Sequence, residues 1–126
     1  SSNSNMSLEA LDWQVGDVTV ITLTGSITLG ESTSRLREWI QEALSDGRKK
    51  ILLNLGEVYF IDSSGLGELV SAYTRVTSRG GRLKLVNLNS RTQDLLQITK
   101  LYTVFEIFSD EGKAVASFAA TDAALI

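Results

Sequence analysis

The stretch that decides the fold is a seven-residue turn sequence, Ile61-Asp62-Ser63-Ser64-Gly65-Leu66-Gly67. It lies between an apolar run and a run with helical periodicity, so we expect the chain to pass here from a strand into a helix. The first backbone amides of a helix have no partner within the helix, and the helix dipole adds positive potential there. The hydroxyls of Ser63 and Ser64 are therefore predicted to lie where an anion is stabilised.

The segments on either side fit this turn. The nearly continuous apolar run 51–55 is typical of a central strand that is covered on both faces, and residues 56–60 are predicted to form a connecting loop. A helix is predicted over 64–78, with Asp62 or Ser63 as its N-cap. The apolar residues of this helix form one stripe that we expect to face the core.

Periodicity places the other elements. Alternation of apolar and polar residues predicts antiparallel strands at 11–15 and 18–24, joined by a tight turn, and further strands are predicted at 83–88 and 104–108. Three more helices are predicted from their start signals: Ser32 or Thr33 as a cap, Ser90 with Gln93 as a capping box, and Asp110 as a cap. On the helix after the turn, Glu68 and Arg75 fall largely outside the apolar stripe.

The predicted element order is β-β-α-β-α-β-α-β-α. Strands separated by helices pair in parallel through right-handed crossovers, whereas the first two strands form a hairpin. We therefore predict an α/β fold with a single mixed, mostly parallel sheet and an N-terminal antiparallel hairpin. The length of 126 residues suits one domain, which we assign to residues 6–126. Residues 1–5 are expected to be an expression-tag remnant or an unstructured leader.

Composition excludes several classes of function. A net charge of −3 without a long basic cluster argues against binding to nucleic acid. No apolar run approaches the roughly 20 residues of a membrane helix, and there is no cysteine, so we expect a cytoplasmic protein without membrane contact. Histidine is absent too, which argues against serine–histidine catalysis and against a metal site. We predict no cofactor and no enzymatic activity.

Three interpretations of the turn compete. Its capping residue and glycines can serve the fold alone, although one cap is sufficient for that purpose. A nucleophile elbow needs a glycine two residues before the serine and a base, and a phosphate-binding loop needs a G-x-x-x-x-G-K pattern; the stretch has none of these. The third interpretation is that a serine accepts a phosphoryl group. A phosphoserine carries about −1.5 to −2 charges at neutral pH, and a helix start tolerates that charge.

At these residues the sequence resembles the STAS family, specifically the bacterial anti-sigma factor antagonists. The resemblance depends on the six residues 62–67 and is supported by the strand before them, by Gly80-Gly81 before the next strand and by the element order. It extends from about Leu8 to Phe118. It implies that this chain has the same fold. It also implies that the protein is a substrate and a binding protein with no enzymatic activity.

The resemblance also implies a switch. Ser63 matches the serine that is phosphorylated in the family by a partner that is both an anti-sigma factor and a serine protein kinase. The unmodified antagonist binds that partner and frees a sigma factor, and a serine phosphatase resets it. By this resemblance Asp62 orients the turn and Ser64 caps or assists. Gly65 and Gly67 allow the backbone of the partner to approach, and Leu66 belongs to the same partner-binding stretch.

One position departs from the family pattern. Many antagonists carry an acidic or amide residue in the loop after the second strand, near the switch, where this sequence has Thr28. Thr28 is a candidate partner contact or an ordinary loop residue. It also fits the alternative function, a STAS scaffold or ligand-sensing module in a signalling complex without sigma-factor control. We expect a monomer or a weak dimer in either case.

Overall fold

A computed structural model describes residues 7–124, with side chains described for residues 7–119. The predictions for residues 1–5 lie outside this range. Five strands and four helices follow the predicted order: β1 Leu8–Val15, β2 Val18–Ile27, α1 Glu31–Ser45, β3 Lys50–Ile61, α2 Ser63–Ser78, β4 Arg82–Val86, α3 Ser90–Thr99, β5 Ile107–Phe108 and α4 Glu111–Ala124. A short 3-10 turn, Leu101–Thr103, lies between α3 and β5.

The sheet has the order β1-β2-β3-β4-β5. β1 pairs antiparallel with β2, and the other three pairings are parallel, so the predicted mixed, mostly parallel sheet is confirmed. One face packs against α1, α2 and α3 and forms the larger apolar core. The other face packs against α4, where Ala114 and Phe118 contact the valines of β2 and Leu52 of β3. The sheet is therefore covered on both faces near its centre.

The predicted loop at 56–60 is wrong, because β3 continues through it to Ile61. β2 is longer than predicted as well, and its last residue, Ile27, pairs with Ile61. The two strands keep this pairing through two register shifts, a local adjustment that a periodicity argument does not detect. The turn sequence consequently starts directly at the end of a long strand.

Two predicted helix starts are also wrong. α1 begins at Glu31 after Gly30, which provides no side-chain cap, and the Thr33 hydroxyl donates to the Gly30 carbonyl instead. α3 is capped by Asn89, whose side chain accepts from the Thr92 amide at 2.8 Å. Gln93, the expected partner of Ser90, donates to the Leu88 carbonyl.

The last strand is shorter than the predicted 104–108. Only Ile107 and Phe108 pair with β4, and the preceding segment forms the 3-10 turn. Phe105 is buried instead, with its ring edge-on to Tyr73 of α2 at 5.5 Å between centroids. The apolar residues of this segment therefore fill the core under α2 and do not extend the sheet.

Candidate functional site

The start of α2 lies at the carboxyl ends of β2 and β3. Asp62 is the N-cap residue, with extended backbone, and Ser63 is the first helical residue. The Asp62 amide donates to the Ile27 carbonyl at 3.2 Å, which joins the turn to the end of β2. The Ser63 side chain is exposed and Ser64 is half-buried. The structure thus presents one serine hydroxyl to solvent at a helix start.

The Asp62 carboxylate ties two segments together. Its Oδ1 accepts from the Gly65 amide at 2.7 Å, and its Oδ2 accepts from the Leu29 amide at 3.0 Å. These donors, the Gly65 amide foremost, hold the pKa of Asp62 below its ordinary value, because they favour the charged form more than partial burial opposes it. One ionised side chain therefore caps α2 and fixes the loop after β2 against it.

Gly65 serves the fold at this place. It is buried, and a Cβ there would run into the carbonyl oxygen of Ile27. The absence of a side chain lets α2 approach the end of β2 closely enough for the bonds of Asp62 to form. The approach that Gly65 permits is thus to a strand of its own chain, as the structural interpretation of the turn has it, whereas the resemblance implied approach by a partner.

The other residues of the predicted partner-binding set separate into two groups. Leu66 is 7 % exposed and belongs to the core, so its side chain supports the site from below. Gly67 is exposed with nothing near the position of a Cβ, and it lies one helical turn after Ser63. Thr28 is half-buried beside Leu29. The outer surface of the site therefore comes from Thr28, Ser63, Ser64 and Gly67.

Sequence reasoning missed two exposed apolar residues beside this surface. Leu29 is 77 % exposed, although its amide is held by Asp62. Phe60, two residues before Asp62, is 39 % exposed. The sequence offered one signal, Leu29 itself. It is a large apolar residue in a short loop and belongs to no periodic apolar pattern. Aromatic residues are enriched at protein interfaces, so an exposed Phe60 suits a contact surface.

Glu68 is the second feature that the sequence did not reveal. It was placed outside the apolar stripe of α2, yet its side chain is only 4 % exposed. Its carboxylate accepts from the guanidinium of Arg37 on α1 at 2.7 Å and lies 3.9 Å from that of Arg75. This pairing raises the pKa of Arg37. The network fastens α1 to α2 one turn beyond the serines.

A cleft of about 960 Å³ lies elsewhere, next to the carboxyl end of β4. Asn54 on its floor donates to Glu111 at 2.8 Å and accepts from the side chain of Asn87 at 3.4 Å. The nearby Thr22 hydroxyl is buried and has no hydrogen-bond partner among the residues that the structure describes. Trp13 and Tyr102 contribute aromatic walls. The cleft is open, its lining combines polar and apolar side chains, and it does not include Ser63 or Ser64.

Between residues 7 and 124 no three acidic, histidine or cysteine side chains are grouped as metal ligands would be. Over the same range, no helix has both the length and the apolar character needed to cross a bilayer.

Comparison with known proteins identifies the family. The family model for the STAS domain matches residues 13–114. A Thermotoga neapolitana protein, assigned provisionally as an anti-sigma factor antagonist, is 33 % identical over 102 residues, which cover 80 % of this chain and 89 % of that protein.

Solved structures agree on the fold. An anti-sigma factor antagonist from Mycobacterium paratuberculosis has a TM-score of 0.80 at 20 % identity, with coverage of 90 % of this chain and 96 % of that one. The phosphorylated form of the Bacillus cell fate determinant SpoIIAA has a TM-score of 0.69 at 22 % identity, with coverage of 87 % and 99 %. The chain therefore belongs to the STAS domain family, and its relatives include anti-sigma factor antagonists.

Proposed function

We propose that this protein is an anti-sigma factor antagonist that is switched by phosphorylation of Ser63. In the unmodified form it binds an anti-sigma factor with serine kinase activity, and the sigma factor is released. The observation that carries the proposal is the exposed Ser63 hydroxyl at the first position of α2, held in place by the two hydrogen bonds of the Asp62 side chain. The family membership and the names of the relatives support it.

The electrostatics of the turn suit a switch that acts on binding. A phosphate on Ser63 receives a stabilising contribution of roughly 0.3–1 kcal/mol from the helix start, so the fold should tolerate it. The same phosphate stands next to the ionised Asp62, whose low pKa keeps it charged at neutral pH. A docked partner has to desolvate both charges, which is costly. Phosphorylation is therefore expected to weaken binding with little change in the fold.

The partner surface of the proposal is narrower than the sequence suggested. The exposed and half-buried residues Thr28, Ser63, Ser64 and Gly67 form its polar part, and Leu29 adds apolar area. Gly65 and Leu66 act beneath it. In this proposal the protein is a substrate of the kinase and of a serine phosphatase, has no catalytic role of its own, and works in the cytoplasm with both.

A capture experiment tests this function. Wild-type protein, Ser63→Asp and Ser90→Asp serve as baits in a lysate of the source organism with ATP, and mass spectrometry identifies the captured proteins and the modified residues. We expect wild type to capture a serine kinase and to acquire phosphate at residue 63, and Ser63→Asp to lose the kinase. Ser90→Asp is the matched control and should still capture the kinase, because it adds the same charge at an exposed serine that opens another helix, α3. Equal capture by wild type and Ser63→Asp, with residue 63 unmodified, would contradict the proposal.

The cleft near Asn54 favours a second candidate, the ligand-sensing STAS module. Its convergent amide and carboxylate groups and its aromatic walls are features of small-molecule sites. Under this alternative the turn at Ser63 is structural, and a metabolite bound near Asn54 controls a larger complex. Capture of non-kinase signalling proteins equally by all three baits would favour it over the phosphorylation switch.

A further inference from the structure

Among residues 7–124, β1 forms one edge of the sheet and pairs with β2 only. Its residues Leu11, Trp13 and Val15 are 72 %, 41 % and 41 % exposed. They alternate along the strand and therefore point to one face of the sheet. We call these three residues the β1 stripe.

The β1 stripe continues a buried apolar face into solvent. Trp13 pairs with Val20 and Val15 pairs with Val18 across the β1–β2 ladder, and paired residues share a face. Both valines are buried under α4, in the cluster with Phe118. The helix covers the valines, yet the stripe next to them remains exposed. An apolar surface that is contiguous with the core marks an interaction site.

The middle of this edge has little of what keeps strand edges apart. Protected edges carry charges (lysine above all), proline or a bulge, or are covered by another element. β1 contains neither lysine nor proline and pairs with β2 without a register shift; Arg35 of α1 contacts its start at the Leu8 carbonyl and Glu9, and Asp12 is the one charged residue between 10 and 15. Counted from the two-residue turn at Gly16-Asp17, the backbone groups of Asp12 and Gln14 point away from β2. They are directed to where a further strand would add.

We propose that two copies of this chain associate through antiparallel pairing of their β1 strands, centred on Trp13. In this register Trp13 faces Trp13 of the second copy, and Leu11 faces Val15, so the two stripes become one apolar surface. Asp12 and Gln14, whose backbone groups point outward, pair with each other across the two copies, so no like charges oppose each other at the centre. The result is a two-fold symmetric dimer with one continuous sheet.

Self-complementarity selects a second copy as the occupant. A shift of the centre to Asp12 places two aspartates directly opposite, which is destabilising. The register centred on Trp13 avoids that conflict and opposes the three stripe residues only to one another. At its two ends it brings Glu9 opposite Asp17, and each of these acids is already paired with a cation of its own chain, Arg35 and Lys50. A strand that matches its own sequence in this way needs no other partner to cover its edge.

The proposed dimer is independent of the switch. Trp13 lies opposite Val20, seven residues before Ile27 on β2, a distance of about 23 Å at ~3.3 Å per residue. The start of α2 lies next to Ile27. Both copies therefore keep Ser63 accessible, and the dimer would form whether or not Ser63 is phosphorylated.

Single cysteines test the register, because the natural chain has none. Opposed residues in an antiparallel pair have Cβ atoms about 4.5–5.5 Å apart, near the span of a disulfide. We expect mild oxidation to cross-link Trp13→Cys with itself, and Leu11→Cys with Val15→Cys in a mixture but not alone. Ile98→Cys is the control, since Ile98 is equally apolar and 80 % exposed on α3. Cross-linking of Trp13→Cys no faster than this control would overturn the proposal.

Sedimentation velocity over a concentration series provides the independent measurement. Wild type should shift reversibly from the mass of one chain to that of two, and Leu11→Lys should weaken the association at least tenfold, whereas Ile98→Lys should leave it unchanged. If wild type stays monomeric at several hundred micromolar, the proposal is overturned, including the case in which another segment of the same chain covers the stripe. A dimer that is insensitive to Leu11→Lys would do so as well.

Discussion

The starts of α1 and α2 lie side by side, since each helix follows one of the paired strands β2 and β3, yet they are built differently. α2 begins at an aspartate whose two oxygens both accept backbone hydrogen bonds. α1 begins after Gly30, at φ 113° and without a side-chain cap. The loop before α1 is held from outside, through the bond from Leu29 to Asp62. One carboxylate thus organises both turns, which explains how Ser63 can be presented on a fixed surface.

The largest expected effect concerns the close approach of α2 to the end of β2 at Gly65, which has no counterpart at the start of α1. Gly65→Ala places a methyl group against the Ile27 carbonyl, so α2 has to shift away from β2, and we expect a loss of about 3 kcal/mol or more in the free energy of unfolding. Gly67→Ala, in the same helix but in open space, should be neutral or stabilise by about 0.5–1 kcal/mol. Urea denaturation measures both. Similar values for the two variants would mean that the approach is not needed.

The cap itself should account for a smaller difference. Asp62→Ala removes the acceptors of the Gly65 and Leu29 amides and should cost about 1–2 kcal/mol. Thr33→Ala removes the bond to the Gly30 carbonyl at the start of α1 and should cost less than about 1 kcal/mol. Thermal and urea unfolding compare the variants, and hydrogen exchange of the Leu29 amide should accelerate only in Asp62→Ala. Equal losses of unfolding free energy in the two variants, with unchanged hydrogen exchange of the Leu29 amide, would contradict the difference between the two helix starts.

The stability of the fold at acidic pH should also reveal the role of the Asp62 cap. The pKa of Asp62 is lower in the folded protein than in the unfolded chain, so its charged form contributes stability above the unfolded value of about 4, and the contribution is lost as the pH falls through the folded value. Wild type should therefore lose more stability between about pH 5 and pH 3 than Asp62→Asn. Asp94→Asn, on the exposed face of α3, is the control and should follow wild type. Parallel curves for wild type and Asp62→Asn would contradict this assignment.

Sequence reasoning was accurate where the signal is local. The order of elements follows from periodicity, and the start of α2 follows from an aspartate and small residues between an apolar strand and a helical stripe. Both are properties of neighbouring residues, so no knowledge of distant contacts was needed. The cap of α2 at Asp62 was one of the two predicted possibilities, and the structure selects it.

The errors share a cause, which is contact between residues far apart in sequence. β3 extends through the predicted loop because β2 pairs with it to the end. Glu68 is buried because α1 supplies Arg37. Ser90 seemed a suitable cap, but Asn89 also reaches the Val58 carbonyl of β3 at 2.9 Å and starts α3 one residue earlier. None of these partners can be inferred from local pattern.

The most direct test of the central claim compares unmodified protein with protein phosphorylated at Ser63. Binding to the captured kinase and the melting temperature are measured on the same two samples. We predict that phosphorylation weakens binding at least tenfold, equivalent to about 1.4 kcal/mol, and shifts the melting temperature by less than about 4 °C. Unchanged affinity, or lost binding together with a large fall in melting temperature, would show that Ser63 does not act as a surface switch on an otherwise constant fold.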